Sequence, residues 1–411
     1  MAEDAPVILF GACDRHNLGD LLFPHIVEAL VSPRPVVIAG VAERDLSAFG
    51  GHRVAALASL AARWESDWGD RPAHLVHVGG EMLTCSLYEA AVMTLPPLEA
   101  PAAIARFDRD EAGRQAWAEA LLGLRQRVAY LAAKALFRRP GRFIHLALGG
   151  VDLPRLPAAM RSEVIERLKE SDALTVRDRY TQAALAEAGL TAKLVPDPAE
   201  LVARLFGERI AAHAEAGEPA RVRERFPKGY VAVQFAAEFG DDATLLNLAA
   251  QLERIAGDRG LGLVLFRAGV APWHDDLEVY RRLLGLMRGC HTWLFDSLDI
   301  WDLCALLARA RLFLGSSLHG RIIANGFAVP GVNILSPGQP GPIGKQAAYL
   351  ATWHAGEPAG IAACDGLAEA VRLAMAQDEA QMAAYARTRA DSASQMLPAA
   401  VGILATAINE R

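Results

Sequence analysis

The run from Ser297 to Leu335, SLDIWDLCALLARARLFLGSSLHGRIIANGFAVPGVNIL, constrains the fold most tightly, because it reads helix, strand, tight turn, helix, strand. Asp299 is placed to cap a helix on which Ile300, Leu303, Cys304 and Leu307 recur at i, i+3, i+4 and i+7, the spacing of one buried face. Arg311 to Gly315 and Val332 to Leu335 are apolar runs of strand length. Between them, Gly315, Ser316 and Ser317 end one strand and open a helix that Gly326 and Pro330 stop. A strand that runs straight into a helix aims unpaired backbone N–H groups and the positive end of the helix dipole at whatever lies above the sheet. His319 and Arg321 fall in that opening turn. Open α/β sheets bind ligands there, at the carboxyl ends of their strands.

The same alternation recurs along the chain. Val7 to Gly11, Pro35 to Gly40, His74 to Gly80 (HLVHVGG), Phe143 to Gly150 (FIHLALGG) and Ala173 to Val176 are apolar runs separated by helical patterns and short loops, which implies a parallel sheet. Tyr230 to Phe235 and Leu261 to Phe266 begin a second one. The length of 411 residues exceeds what one core supports, so two domains are expected. Residues 204–228, rich in Ala, Glu and Arg with Pro219 and Pro227, mark the boundary, giving domains at 1–210 and 211–411. The fold class is therefore α/β, two Rossmann-like doubly wound parallel-sheet domains. The C-terminal segment reads as helix, ending with Leu397 to Ile408.

Composition excludes several classes. With 52% hydrophobic and 22% charged residues and a formal charge of -6, the chain is expected to be soluble and is no dedicated nucleic-acid binder. Cys13, Cys85, Cys290, Cys304 and Cys364 form no CxxC pair, so neither disulfides nor a metal site is expected and a cytoplasmic setting fits. The opening MAEDAP carries no signal-peptide pattern.

Several residues carry two readings. Asn17, Gly19 and Asp20 follow the first strand, either as turn residues with Asp20 as an N-cap or as polar groups at a cleft mouth. Gly79 and Gly80 are either a simple turn or a place where backbone approaches a ligand. Arg177 either pairs with Asp178 or clamps a carboxylate or phosphate. Residues 121–142 hold Arg125, Arg127, Lys134, Arg138, Arg139 and Arg142, and read as a solvated surface helix or as a basic amphipathic helix for peripheral contact with the inner face of a membrane. His274, Asp275 and Asp276 lack ligand spacing and read as a helix cap.

Taken in order, these motifs resemble the polysaccharide pyruvyl transferase family. Asn17-Leu18-Gly19-Asp20 matches its Asn-x-Gly-Asp, Arg177-Asp178 its mid-chain Arg-Asp, Asp197-Pro198 a following Asp-Pro, and SSLHGRIIANGFAVPGVNI its C-terminal signature. Many members carry Arg directly before Leu-His; Ser317 stands there in this chain, and Arg321 lies about 200° around the helix from His319, so it cannot simply replace that group. The resemblance implies a glycosyltransferase-B-like pair of domains facing across a cleft, acceptor side first, with no required metal and no cofactor beyond phosphoenolpyruvate as co-substrate. It implies transfer of pyruvate onto two hydroxyls of a sugar or glycan acceptor, lipid-linked or free. His319 is expected as acid/base, since imidazole ordinarily exchanges its proton near neutrality. Ser316, Ser317, Arg177, Arg321 and Lys345 are expected on the donor, Asp20 as a catalytic partner, and Asn17, Gly79 and Gly80 on the acceptor. Two rival classes remain open: a nucleotide-sugar glycosyltransferase, and a non-catalytic glycan-binding relative.

Overall fold

A computed structural model describes residues 5–289, 291–337, 344–354 and 360–406, with residues 405 and 406 described by their backbone alone. The chain divides into two compact units, one formed by residues 5–16, 20–198 and 392–406, the other by residues 17–19 and 199–391.

The first unit is built on an eight-stranded sheet in the order β3-β4-β2-β1-β5-β6-β7-β8. Its strands are β1 (Val7–Phe10), β2 (Val36–Gly40), β3 (Arg44–Asp45), β4 (Arg53–Ala56), β5 (Ala73–His77), β6 (Pro140–Leu148), β7 (Ala173–Val176) and β8 (Lys193–Leu194). Only β3 runs antiparallel, to β4. The second unit holds a six-stranded parallel sheet, order β11-β10-β9-β12-β13-β14. Its strands are β9 (Tyr230–Gln234), β10 (Gly262–Leu265), β11 (Thr292–Leu294), β12 (Leu312–Gly315), β13 (Gly331–Ile334) and β14 (Ile361–Ala362). The strands expected from apolar runs are present; β3, β8 and β14 are two residues each, too short to leave a periodic pattern.

Helices cover both faces of each sheet, so central strands are apolar throughout rather than alternating. Every residue of β1 and β9 is buried, and each large side chain so placed stabilises by about 1.5–3 kcal/mol. Asp299 caps the helix Ile300–Arg309 by accepting from Trp301 N at 2.8 Å, and Ile300, Leu303, Cys304 and Leu307 form its buried face.

Two expectations change. Residues 204–228 hold two helices, Val202–Ala214 and Gly217–Arg225, both in the second unit. The first packs on Ile300–Arg309, with the Phe206 and Trp301 rings 5.1 Å apart. The division falls instead at residues 198 and 199, and residues 392–406 group with the first unit. Ala- and Glu-rich composition suggested a linker, but a buried stripe of Val202, Ile210 and Ala214 makes it part of a core.

Nor does a helix span residues 121–142. The helix Glu111–Leu122 ends at Gly123, whose φ of 68° terminates it, and residues 128–133 are buried in irregular structure before β6 begins. Four of the six basic side chains are paired: Lys134 and Arg142 with Asp172, Arg138 with Glu65 and Asp70, Arg139 with Asp70. The amphipathic helix on which membrane contact would rest does not form. Among the described residues no helix is long and apolar enough to cross a membrane.

Candidate functional site

In the second unit β9 and β12 are neighbours, with β10 and β11 on one side and β13 and β14 on the other. The chain therefore reverses direction across the sheet between β9 and β12, and the crevice at their carboxyl ends is the place where such sheets bind ligands. Gly315, the last residue of β12, lies opposite Gln234, the last of β9. The chain then enters the helix Leu318–Gly326 with Ser317 as its N-cap, whose Oγ accepts from Gly320 N at 3.0 Å. Gln234 Oε1 accepts from Ser317 N at 2.8 Å, and Ser316 Oγ accepts from Ala236 N at 3.2 Å. Gln346 Nε2 donates to the Ser316 carbonyl, which puts the start of the helix Lys345–Trp353 beside the same turn. Lys345 is the exposed first residue of that helix; residues 338–343 of the preceding Gly- and Pro-rich loop lie outside the described residues.

Asp275 ties these pieces together, and sequence reasoning missed it. One carboxylate oxygen accepts from Gln234 Nε2 at 2.8 Å, the other from Ala268 N at 2.6 Å. A carboxylate so placed dictates the Gln234 amide orientation, and hence which atom meets Ser317 N. Enclosure pushes the Asp275 carboxyl up to about 7, against the opposing pull of these N–H donors and of Arg267. Its neighbour Asp276 is the ordinary helix cap, accepting from Glu278 N at 2.8 Å.

The same 268–269 turn receives the N-terminal motif. Leu18 N donates to Ala268 O at 2.7 Å, and Asn17 bridges Gly269 in antiparallel fashion. Asn17 Oδ1 accepts from Gly19 N at 3.2 Å, closing the turn. His319 lies directly on it: a Cβ at Gly19 would stand 2.0 Å from His319 Nδ1. Residues 300 positions apart in sequence, Gly19 and His319, thus form one contact surface.

Arg321 does not join this surface. Its side chain is buried and runs under the helix, where Nη1 donates to Gly360 O at 2.8 Å. With the Asn325 amide turned to satisfy its neighbours, Nε donates to Asn325 Oδ1 at 3.0 Å. Arg321, expected on the donor, is instead engaged by Gly360 and Asn325.

The first unit has its own reversal between β1 and β5. Asp20 lies in the first turn of the helix Leu18–Val31 rather than at its cap, with its carboxylate 3.6 Å from Arg15 Nη2. Arg15 Nη1 also donates to Tyr130 Oη, which in turn donates to Asp14 Oδ1 at 3.0 Å. Asp14 and Arg15 were missed, although charged residues directly after an apolar strand were the available signal. Gly79 and Gly80 adopt φ of 112° and 102°, and a Cβ at Gly80 would lie 3.4 Å from Asp20 Oδ1. Gly80 is therefore a close approach of backbone to Phe23 and Asp20, and Gly79 a close approach to the Leu146 carbonyl.

Arg177 follows β7 directly, and its neighbour Asp178 caps the next helix by accepting from Thr181 N at 2.7 Å. Its guanidinium reaches Asp197 at 3.0 Å and Glu81 at 2.7 Å, with only 2% of the side chain exposed. Burial alone would favour loss of its proton, and the Glu81, Asp197 and Asp178 carboxylates more than offset that. Arg177 thus joins the β5, β7 and β8 ends by charge.

Comparison with known proteins agrees with this architecture. The model of the family described as polysaccharide pyruvyl transferase matches residues 118–336, more than half of the chain. A putative UDP-N-acetylglucosamine 2-epimerase from Listeria monocytogenes is similar in structure at 14% identity, covering 97% of this chain and 95% of that one, with a TM-score of 0.54. The UDP-N-acetylglucosamine 2-epimerase from Rickettsia bellii is similar at 10% identity, covering 95% of each chain, with a TM-score of 0.53. These likenesses concern the fold, which is glycosyltransferase-B-like. Comparison with curated proteins gives no match. Since the matched span runs through the Arg177 pair to the Ser316–His319 turn and its following strand, the chain belongs to the polysaccharide pyruvyl transferase family and is a transferase.

Proposed function

We propose that this transferase moves pyruvate from phosphoenolpyruvate onto two hydroxyls of a sugar in a polysaccharide or glycan precursor, forming a cyclic ketal. The observation that carries the reading is the seating of the His319 ring on Gly19, which unites the family's first and last motifs beside a helix N-terminus at a sheet reversal.

The reaction requires a proton on the donor methylene carbon, which makes the neighbouring carbon electrophilic. One sugar hydroxyl adds there and loses its proton; the second displaces phosphate. The methylene becomes a methyl group, and the two hydroxyl protons balance the one added to carbon and the one carried off by phosphate. His319 is the group assigned to this proton traffic. The positive end of the helix Leu318–Gly326, with Lys345 at the neighbouring helix start, is assigned to the donor's carboxylate and phosphate. Asp20, Asn17 and the Gly79–Gly80 backbone are assigned to the acceptor. Arg177, engaged by two carboxylates, is a positioning residue in this reading, and Arg321 supports the helix from below.

His319→Ala tests the assignment. Phosphate release from phosphoenolpyruvate in the presence of acceptor should fall by a factor on the order of 10² or more, with donor binding retained. Unchanged turnover would remove His319 from the chemistry.

A further inference from the structure

Apart from these residues, one cluster of ligating side chains in the first unit has no place in the reaction. His25 and Glu28 lie three residues apart on the helix Leu18–Val31 and so share a face. His52 comes from the loop before β4, with its ring centroid 3.9 Å from that of His25. One ligating atom from each of the three lies within 4.8 Å of the others. We propose that His25, Glu28 and His52 form a three-ligand site for a divalent transition metal, with Zn²⁺ the ion these donors suit.

Two features favour a metal over a simple ion pair. His25 Nε2 lies 2.8 Å from the Gly50 carbonyl oxygen. A carbonyl only accepts, so Nε2 carries the proton and the lone pair of the neutral ring sits on Nδ1. Metal-bound imidazoles are held in this way, with the second nitrogen donating to a backbone carbonyl that fixes the tautomer. Next, Glu28 Oε2 stands 3.7 Å from His52 Nε2. That is beyond the ~3.2 Å limit of a good hydrogen bond. It is close to the ~3.3 Å that separates two ligands on a tetrahedral ion with bonds of about 2.0–2.1 Å.

Two nitrogens and a carboxylate oxygen are a donor set for Zn²⁺, Ni²⁺ or Cu²⁺ rather than Mg²⁺ or Ca²⁺. Glu28 is 50% exposed on its side chain, so solvent has access to the remaining coordination position. Gly50, which orients His25, adopts φ of 75° at the end of the short helix Ser47–Phe49. A bound ion would therefore pin this loop, and β4 after it, to the first helix.

Calorimetric titration of the full, untagged chain with Zn²⁺ tests the site. One equivalent should bind, and Glu28→Gln and His52→Ala should each weaken binding by a factor on the order of 10 or more. Glu28→Gln alters an exposed, isosteric group and keeps the fold intact. Co²⁺ in its place should give the visible absorption of a four-coordinate nitrogen and oxygen site in the unaltered chain. Absence of binding by either ion, or Zn²⁺ binding unchanged in both variants, would overturn the proposal.

Discussion

At Gly19 a single hydrogen lets an imidazole lie on the backbone. Any side chain there would place its Cβ 2.0 Å from His319 Nδ1, a distance that only movement of the ring or the turn can relieve. Gly19→Ala is therefore expected to cost about 1–3 kcal/mol in stability. It should also lower kcat by more than it raises KM, because the displaced group is the one assigned to proton transfer. Steady-state kinetics beside thermal unfolding check this; a variant that loses stability but keeps kcat would separate the packing from the chemistry. The places of Ser316, Ser317 and His319 at a helix start are legible from sequence because a strand, a two-residue turn and a helix start are local events. Gln234 and Asp275 are not, since their roles arise only when β9 is laid beside β12 and the 268–275 turn folds back onto both. For Arg177 and Arg321 the sequence shows the charge but not its direction, which depends on carboxylates and carbonyls far away along the chain.

At the scale of elements, buried polar groups connect strand ends and make their own predictions. Arg177→Ala would leave Asp197 and Glu81 facing each other without a cation, and Asp197 is wholly buried. A destabilisation of about 3–5 kcal/mol is expected, seen as a lower unfolding temperature without any ligand present. Arg177→Ala with unchanged stability would favour the ligand clamp instead. In the same sheet His77 on β5 stands opposite His145 on β6, the rings stacked with centroids 3.9 Å apart. Burial lowers His77 to about 3 and lowers His145 as well. Between about 3 and the ordinary value of about 6.5, the unfolded chain binds protons that the folded one excludes. Stability should therefore fall as pH drops through that window. His77→Gln retains an acceptor for Ala132 N, which His77 Nε2 now meets at 3.0 Å, and should flatten the dependence. Urea midpoints measured between pH 4 and pH 7 check the slope; a variant that loses stability on acidification as steeply as the parent would contradict it. The strands themselves were legible as apolar runs ending in glycine. The basic segment at 121–142 is not a helix, and charge spacing could not reveal that Asp172 pairs with Lys134 and Arg142 and Asp70 with Arg138 and Arg139.

At the scale of the whole molecule, two parallel-sheet units follow from β/α alternation over 411 residues, and each unit places polar groups at its own sheet reversal. The division at residues 198 and 199, with residues 392–406 returning to the first unit, was beyond the sequence, because a helix that packs and a helix that links can share one composition. A fold of this kind serves more than one donor chemistry, so donor identity is the point on which the account stands. The most direct measurement is thermal unfolding of the chain with phosphoenolpyruvate and, in parallel, with a panel of nucleotide sugars. A donor at 100 times its dissociation constant stabilises by about 2.7 kcal/mol. The account predicts an upward shift with phosphoenolpyruvate and none with the nucleotide sugars; a shift with a nucleotide sugar and none with phosphoenolpyruvate would contradict it.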